Sequence, residues 1–209
     1  MIPAIVHSIS YDRFGTYLAA SGFDVQRALK LYIWNAQMGE AFHMPVQAVE
    51  VALRNTIDAA LAARFGKTWW DNPDYLKMAG HQSRGDLATV QMRIQKRGLS
   101  VTTGPIVAGL SFGFWVAMLQ PGFNPGLWSS QLRLAFPNLP QVESRNSLFR
   151  SARRVVFLRN RISHHEPIFK RDLLADFAEV MKLLKWICPD THDWIRPHCR
   201  VPELMRRKP

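Results

Sequence analysis

Apolar residues recur every three to four positions along nearly the whole chain, and no segment alternates cleanly with a period of two, so the pattern predicts an all-α protein. In "DVQRALKLYIWNAQMGEAF" the spacing puts Val25, Leu29, Tyr32, Ile33 and Ala36 on one stripe, with Asp24 placed to cap the helix N-terminus. Pro45 is a residue favoured in a first turn, so it predicts the start of a second helix that runs to Gly66 and buries Val46, Val49, Leu53, Ile57, Ala60 and Leu61. These two helices are expected to pair antiparallel. "WWDNPDYL" reads as a turn region with Trp69 and Trp70 as anchors, and a shorter, more polar helix over 83–98 ends at Gly98. Residues 105–120 are apolar nearly all round and predict one central helix, in which Gly113 implies close approach of a neighbouring backbone. "PGFNPG" predicts a loop, a long helix covers about 143–164, and a last helix ends before Pro189. The expected organisation is an all-α domain over residues 1–188, followed by an irregular, Pro-rich, basic tail over 189–209.

Charge narrows the choice of partner. A formal net charge of +11 gives the chain a field that attracts polyanions, and nucleic acid is the first to consider. No apolar run is long enough for a membrane span, and the N-terminus lacks the basic flank and long apolar stretch of a secretory signal, so a cytoplasmic protein is expected. Two cysteines are too few for a disulfide framework. Cys188, His192, His198 and Cys199 have no common zinc spacing and are interrupted by Pro189 and Pro197, so no metal site is assigned.

The stretch "RNRISHHEP", Arg159 onward, is unusual because it ends an apolar helix. On a wheel of about 100° per residue, Leu148, Ala152, Val155, Val156 and Ile162 all lie within about 60° of Arg159. A guanidinium in the middle of an apolar stripe needs a carboxylate, such as Glu50 or Asp58, or a cleft that an anion can enter. Asn160 and His164 stand four residues apart, and Pro167 biases the chain out of helix just beyond them. Histidine is the side chain whose ordinary titration range brackets neutrality, as a general acid or base requires. Between Arg145 and Arg171 eight basic residues face Glu166 alone, which marks Arg150, Arg153, Arg154, Arg161, Lys170 and Arg171 as candidate RNA contacts. A cation to clamp phosphate, a histidine to move protons and an asparagine to orient them suit RNA cleavage without a metal. No Gly-rich phosphate loop, Mg²⁺-type carboxylate cluster or serine nucleophile motif competes.

An arginine and a histidine separated by four to six residues at a helix end resembles the signature of the HEPN superfamily; here four residues separate Arg159 from His164. "AVEVALRNTIDAAL" (48–61), "LSFGFWVAML" (110–119), "LRNRISHHEPIF" (158–169) and the N-terminal "LYIWNAQMGEAF" (31–42) together resemble the bacterial Abi-like, or abortive infection, proteins of that superfamily. The resemblance implies a HEPN-like helical bundle that dimerises, so that two copies of the motif face a shared cleft. It also implies a metal-independent endoribonuclease without cofactor, acting in phage defence or as a toxin, with an antitoxin protein or RNA as a further partner. Carried onto this chain, Arg159 becomes the phosphate clamp, His164 the acid or base and Asn160 the orienting group; His165 also fits the spacing. Glu50, Arg54 and Asn55 form a second polar set, either an intrahelical Glu50–Arg54 pair or a brace for Arg159. On an ideal helix Arg159 and His164 are about 140° apart, so a distorted last turn or a second copy must bring them to one phosphate.

Two other readings of the same residues stay open. One is a non-catalytic RNA-binding or regulatory module that uses the same basic face, and the other a structural dimerisation protein with Arg159 in a buried ion pair.

Overall fold

The computed structural model describes residues 2–123 and 126–209, and among these there are helices and turns but no strand. Two short helices, α1 (Ile2–Ile9) and α2 (Tyr11–Ala20), precede a long one, α3 (Val25–Phe65). They are followed by α4 (Pro73–Met78), α5 (His81–Lys96), α6 (Thr103–Gly109) and α7 (Phe112–Ala117). A wide turn at Trp128–Leu132 runs into the single turn α8 (Arg133–Ala135), and α9 (Arg145–Ser163) and α10 (Leu173–Ile187) complete the core. Last come α11 (Pro189–Ile195) and α12 (Val201–Met205). Of the loop expected at "PGFNPG", Pro121–Phe123 form a 3-10 turn, and Asn124 and Pro125 lie outside the described residues.

α3 is the axis of the fold. Its 41 residues span about 60 Å. Asp24 caps it by accepting the Arg27 N–H at 3.0 Å, and Gly66, at φ 88, ends it. Pro45 sits inside the helix rather than at the start of a second one, so the expected antiparallel pair is a single continuous element. An interior proline costs about 3 kcal/mol. Burial on both sides of it offsets that cost: Trp34, Met38 and Phe42 before, Val49, Leu53, Ile57 and Leu61 after, each side chain contributing about 1.5–3 kcal/mol. The face predicted after Pro45 is buried as expected. Before Pro45 the buried positions are Ala28, Leu31, Trp34, Asn35, Met38 and Phe42, whereas Ile33 is 56% exposed and Ala36 lies open.

The expected central helix over 105–120 is broken into α6 and α7. Ser111 starts the second by accepting the Phe114 N–H at 3.1 Å. Close approach occurs at Gly109, where a Cβ would stand 2.6 Å from Val90 Cγ1, and not at Gly113, whose Cβ would meet only the Ser111 hydroxyl at 3.7 Å.

The segment after Pro189 is helical and packed rather than irregular. Pro189, Pro197 and Pro202 each occupy a first turn, where a missing N–H costs nothing, and Val201 and Leu204 are buried. The Trp34 indole donates to the Leu204 carbonyl at 2.8 Å, and Lys208 Nζ donates to the Phe169 carbonyl at 3.0 Å. The N-terminal third of α3 thus holds the C-terminal helix. Its neighbour Asn35 holds the exit of α9, because Asn35 Oδ1 accepts the N–H groups of Ile168 (2.8 Å) and Phe169 (3.1 Å).

Candidate active site

α9 begins at a capping box, Ser144 with Ser147, and buries Leu148, Ala152, Val155 and Leu158. The stripe continues onto Arg159, whose side chain remains 38% exposed and crosses to α3, where Nε lies 3.3 Å from Glu50 Oε2. Glu50 therefore pairs with Arg159 and not with Arg54, its neighbour one turn on. Arg54 Nε is 3.4 Å from Asn55 Oδ1, and Asp58 accepts the Trp69 indole N–H at 2.7 Å. A partly exposed pair of this kind is worth less than about 1 kcal/mol to stability. Its consequence is positional: with Nε engaged, the two Nη groups remain for an anion, one of them 3.5 Å from Asn160 Oδ1.

Two cavities meet at this point. The smaller, about 240 Å³, has Arg54, Arg159 and Glu50 in its wall. The larger, about 890 Å³, lies between α2, α3 and the link from α9 to α10, and carries Arg13, Tyr17, Tyr32 and His165. His43, Ile162 and Ser163 belong to both walls, so the two cavities adjoin and together make up the groove.

The end of α9 decides which histidine enters that groove. His164 is the C-cap, and His165 adopts a left-handed conformation at φ 54. The Glu166 N–H reaches back to the Arg161 carbonyl at 2.8 Å and the His165 N–H to Ile162 at 3.0 Å, the double closure of a Schellman turn. Glycine normally occupies that left-handed position. The turn is fixed from outside by Arg13 Nη1, which donates to the His165 carbonyl at 3.2 Å. His165 lines the larger cavity; His164 is exposed and lines neither.

His43 is the site residue that the sequence pattern did not single out. His43, Gln47, Glu50 and Arg54 are spaced four, three and four apart, one polar face of α3 along the groove. The signal is present only if 25–65 is treated as one helix.

The basic residues divide. Arg154 pairs with Glu179 at 3.4 Å, Arg161 with Glu166 at 3.3 Å, and Arg171 with Asp176 at 2.6 Å. The Asp176 hydrogen bond also pushes the Arg171 guanidinium further up from its ordinary value. Among the described residues Arg150, Arg153 and Lys170 have no ion-pair partner, and Lys170 lies over the Phe169 ring. Burial drives the Tyr17 phenol up to about 12, with Tyr32 adding to the rise and Arg13 opposing it, so it is a neutral hydroxyl in the groove wall at neutral pH.

Near the C-terminus, His192 Nδ1 is 2.7 Å from Asp193, the Thr191 hydroxyl reaches Cys188 Sγ at 3.1 Å, and Cys199 Sγ faces the Ile195 carbonyl at 3.5 Å. Among the described residues no three His, Cys, Asp or Glu side chains converge on a point that could hold a metal ion, and no helix is long and apolar enough to cross a membrane. Comparison with protein-family models, curated proteins and solved structures finds no match to the chain.

Proposed function

We propose that the chain is a metal-independent endoribonuclease of the Abi-like, HEPN type, acting as a dimer in phage defence or as a toxin. The observation that carries this reading is the groove itself. Arg159, braced by Glu50, and Arg54 stand at one end, and the same walls lead to His165. A phosphodiester seated on the two guanidiniums is met by charge-assisted donors whose value increases as negative charge develops on the phosphorane. One histidine takes the proton of the 2′-OH, the O2′–P bond forms, the P–O5′ bond breaks, and a second protonated group returns a proton to O5′. The products are a 2′,3′-cyclic phosphate and a 5′-hydroxyl.

Within one chain His165 and His43 are the histidines on the groove. His164, exposed on the cap and outside both cavities, acts on this reading on a strand held by a second copy. Asn160 orients the free end of Arg159.

The test is incubation of the wild type with total RNA in EDTA, beside Arg159→Ala, His164→Ala and His165→Ala. Fragments ending in 2′,3′-cyclic phosphate are expected from the wild type and lost in Arg159→Ala and in at least one histidine variant. Undiminished cleavage by all three variants would exclude the mechanism. Intact RNA throughout, with salt-sensitive binding, would leave the RNA-binding module as the better description.

A further inference from the structure

Building on the reading of the groove as an RNA site, we propose that the larger cavity is a base-recognition subsite that makes the protein selective for the nucleotide beside the bound phosphate. Phosphate contacts position a strand but carry no sequence information; selectivity needs directed donors and acceptors on base edges, and a surface for the base to lie against. The smaller cavity supplies the cations, and the larger one supplies the rest.

Asn35 is the directed donor. Its Oδ1 accepts two backbone N–H groups, from Ile168 and Phe169, so the amide can be oriented only one way. The Nδ2 group has no acceptor among the described residues and is not among the sealed-off polar atoms, and Asn35 belongs to the cavity wall. An amide locked in this way offers hydrogens and no lone pair, so it selects a base edge that presents an acceptor. Glu40, exposed and lining the same cavity about 140° round α3 from Asn35, so at the opposite edge of it, has no ion-pair partner among the described residues and offers an acceptor there. Tyr32 is half-buried, stands edge to face with Tyr17 at 5.1 Å between ring centroids, and supplies aromatic surface for a base. A cavity of about 890 Å³ has room for a nucleotide, with its phosphate towards the smaller cavity, which adjoins it at His43 and Ser163 and has Arg159 in its wall.

Uncleavable 2′-O-methyl hexamers of A, C, G and U separate base recognition from catalysis, because no 2′-hydroxyl is available to attack. Their Kd values for the wild type are expected to spread by at least about tenfold, the scale of one good bidentate base contact. Asn35→Asp keeps the oxygen that holds Ile168 and Phe169 but removes the donor, and is expected to narrow the spread to under about threefold. The added carboxylate also repels the phosphates of every hexamer, a loss common to all four that the ratio cancels, and as an acceptor in the donor's place it disfavours the bases the wild type prefers. Glu40→Ala removes the acceptor at an exposed helical position that does not endanger folding, is expected to narrow it too, and decides the matter if Asn35→Asp fails to fold. Hexamers that bind the wild type within about twofold of one another, or not at all, overturn the subsite, as does a spread unchanged in the deciding variant. Cleavage of ordinary RNA without base preference would remove the subsite and keep the nuclease. Base preference without cleavage would do the reverse.

Discussion

Replacing His165 by glycine separates what its backbone does from what its side chain does. The residue holds φ 54 at the left-handed position of the turn that ends α9. For a side chain with a Cβ that conformation costs roughly 1–2 kcal/mol, and glycine avoids it. Glycine also loses more conformational freedom on folding, which costs about 0.5–1 kcal/mol. The contacts that hold the turn are backbone ones: His165 N–H to Ile162, Glu166 N–H to Arg161, and the Arg13 guanidinium to the His165 carbonyl. All three survive the substitution, and the imidazole is exposed, so little packing is lost. His165→Gly is therefore expected to be neutral or more stable by up to about 1 kcal/mol, a rise in Tm of at most about 2–4 °C for a chain of this size. RNA cleavage in EDTA is expected to fall by about 10²–10⁴, the usual worth of a general acid or base. A thermal melt and a single-turnover cleavage assay on one preparation read both. A Tm that falls by more than about 4 °C would mean the imidazole is structural, and cleavage within about tenfold of wild type would refute its role in proton transfer.

Glu50→Gln removes the carboxylate that fixes Arg159; cleavage is expected to fall by at least about tenfold while stability changes by less than about 1 kcal/mol, and a loss confined to binding, with turnover at saturation unchanged, would show that Glu50 only tunes affinity. Pro45→Ala restores an N–H inside α3 and is expected to raise stability by about 1 kcal/mol, after the lost ring burial is set against the proline's cost; a lower Tm would mean that the ring is needed for packing. Burial alone would raise the Glu179 carboxyl, but Lys182 at 2.8 Å and Arg154 at 3.4 Å hold it below its ordinary value. Its contribution to stability is thus present above the carboxylate range and lost as pH falls through its lowered folded-state value, so Glu179→Gln is expected to flatten the acid limb of a Tm-against-pH curve and leave it unflattened only if the pairs contribute nothing.

The helices whose faces are set by local periodicity and caps were legible in the sequence: α9, α10, and the buried face of α3 from Val46 to Leu61. What was lost turns on Pro45. Treated as a helix start, it hides the register of everything before it; treated as interior, stepping back from Val46 by three and four gives Phe42, Met38, Asn35, Leu31 and Ala28, the positions that are buried. The same continuity reveals the polar face His43, Gln47, Glu50 and Arg54. Prolines misled again after Cys188, where three of them begin short helices instead of ending order. Both errors share a cause: proline excludes a hydrogen bond at one position, and whether a helix tolerates that is decided by packing from distant segments, here α10, α12 and the Asn35 and Trp34 anchors.

Charge was overstated by the sequence for a related reason. Eight basic residues between Arg145 and Arg171 find almost no acidic neighbours within a helical turn, but α10 supplies Glu179 to Arg154 from across the helix pair and Asp176 to Arg171 from five residues on. On a wheel of about 100° per residue Arg150, Arg154 and Arg161 also lie about 180–220° from Arg159, on the opposite side of α9. A single strand on the groove therefore meets Arg54, Arg159 and Arg13 first, and at most Arg153 and Lys170 in addition. With about 0.7 of a counterion released per phosphate contacted on a single strand, five contacts set an upper bound near −3.5 for the slope of log affinity against log salt, whereas eight would give about −5.6. Titrating 2′-O-methyl RNA at several salt concentrations distinguishes the two. A slope steeper than about −5 would mean that the ion pairs to Glu179, Asp176 and Glu166 open on binding, and that the strand wraps α9 instead of lying along the groove.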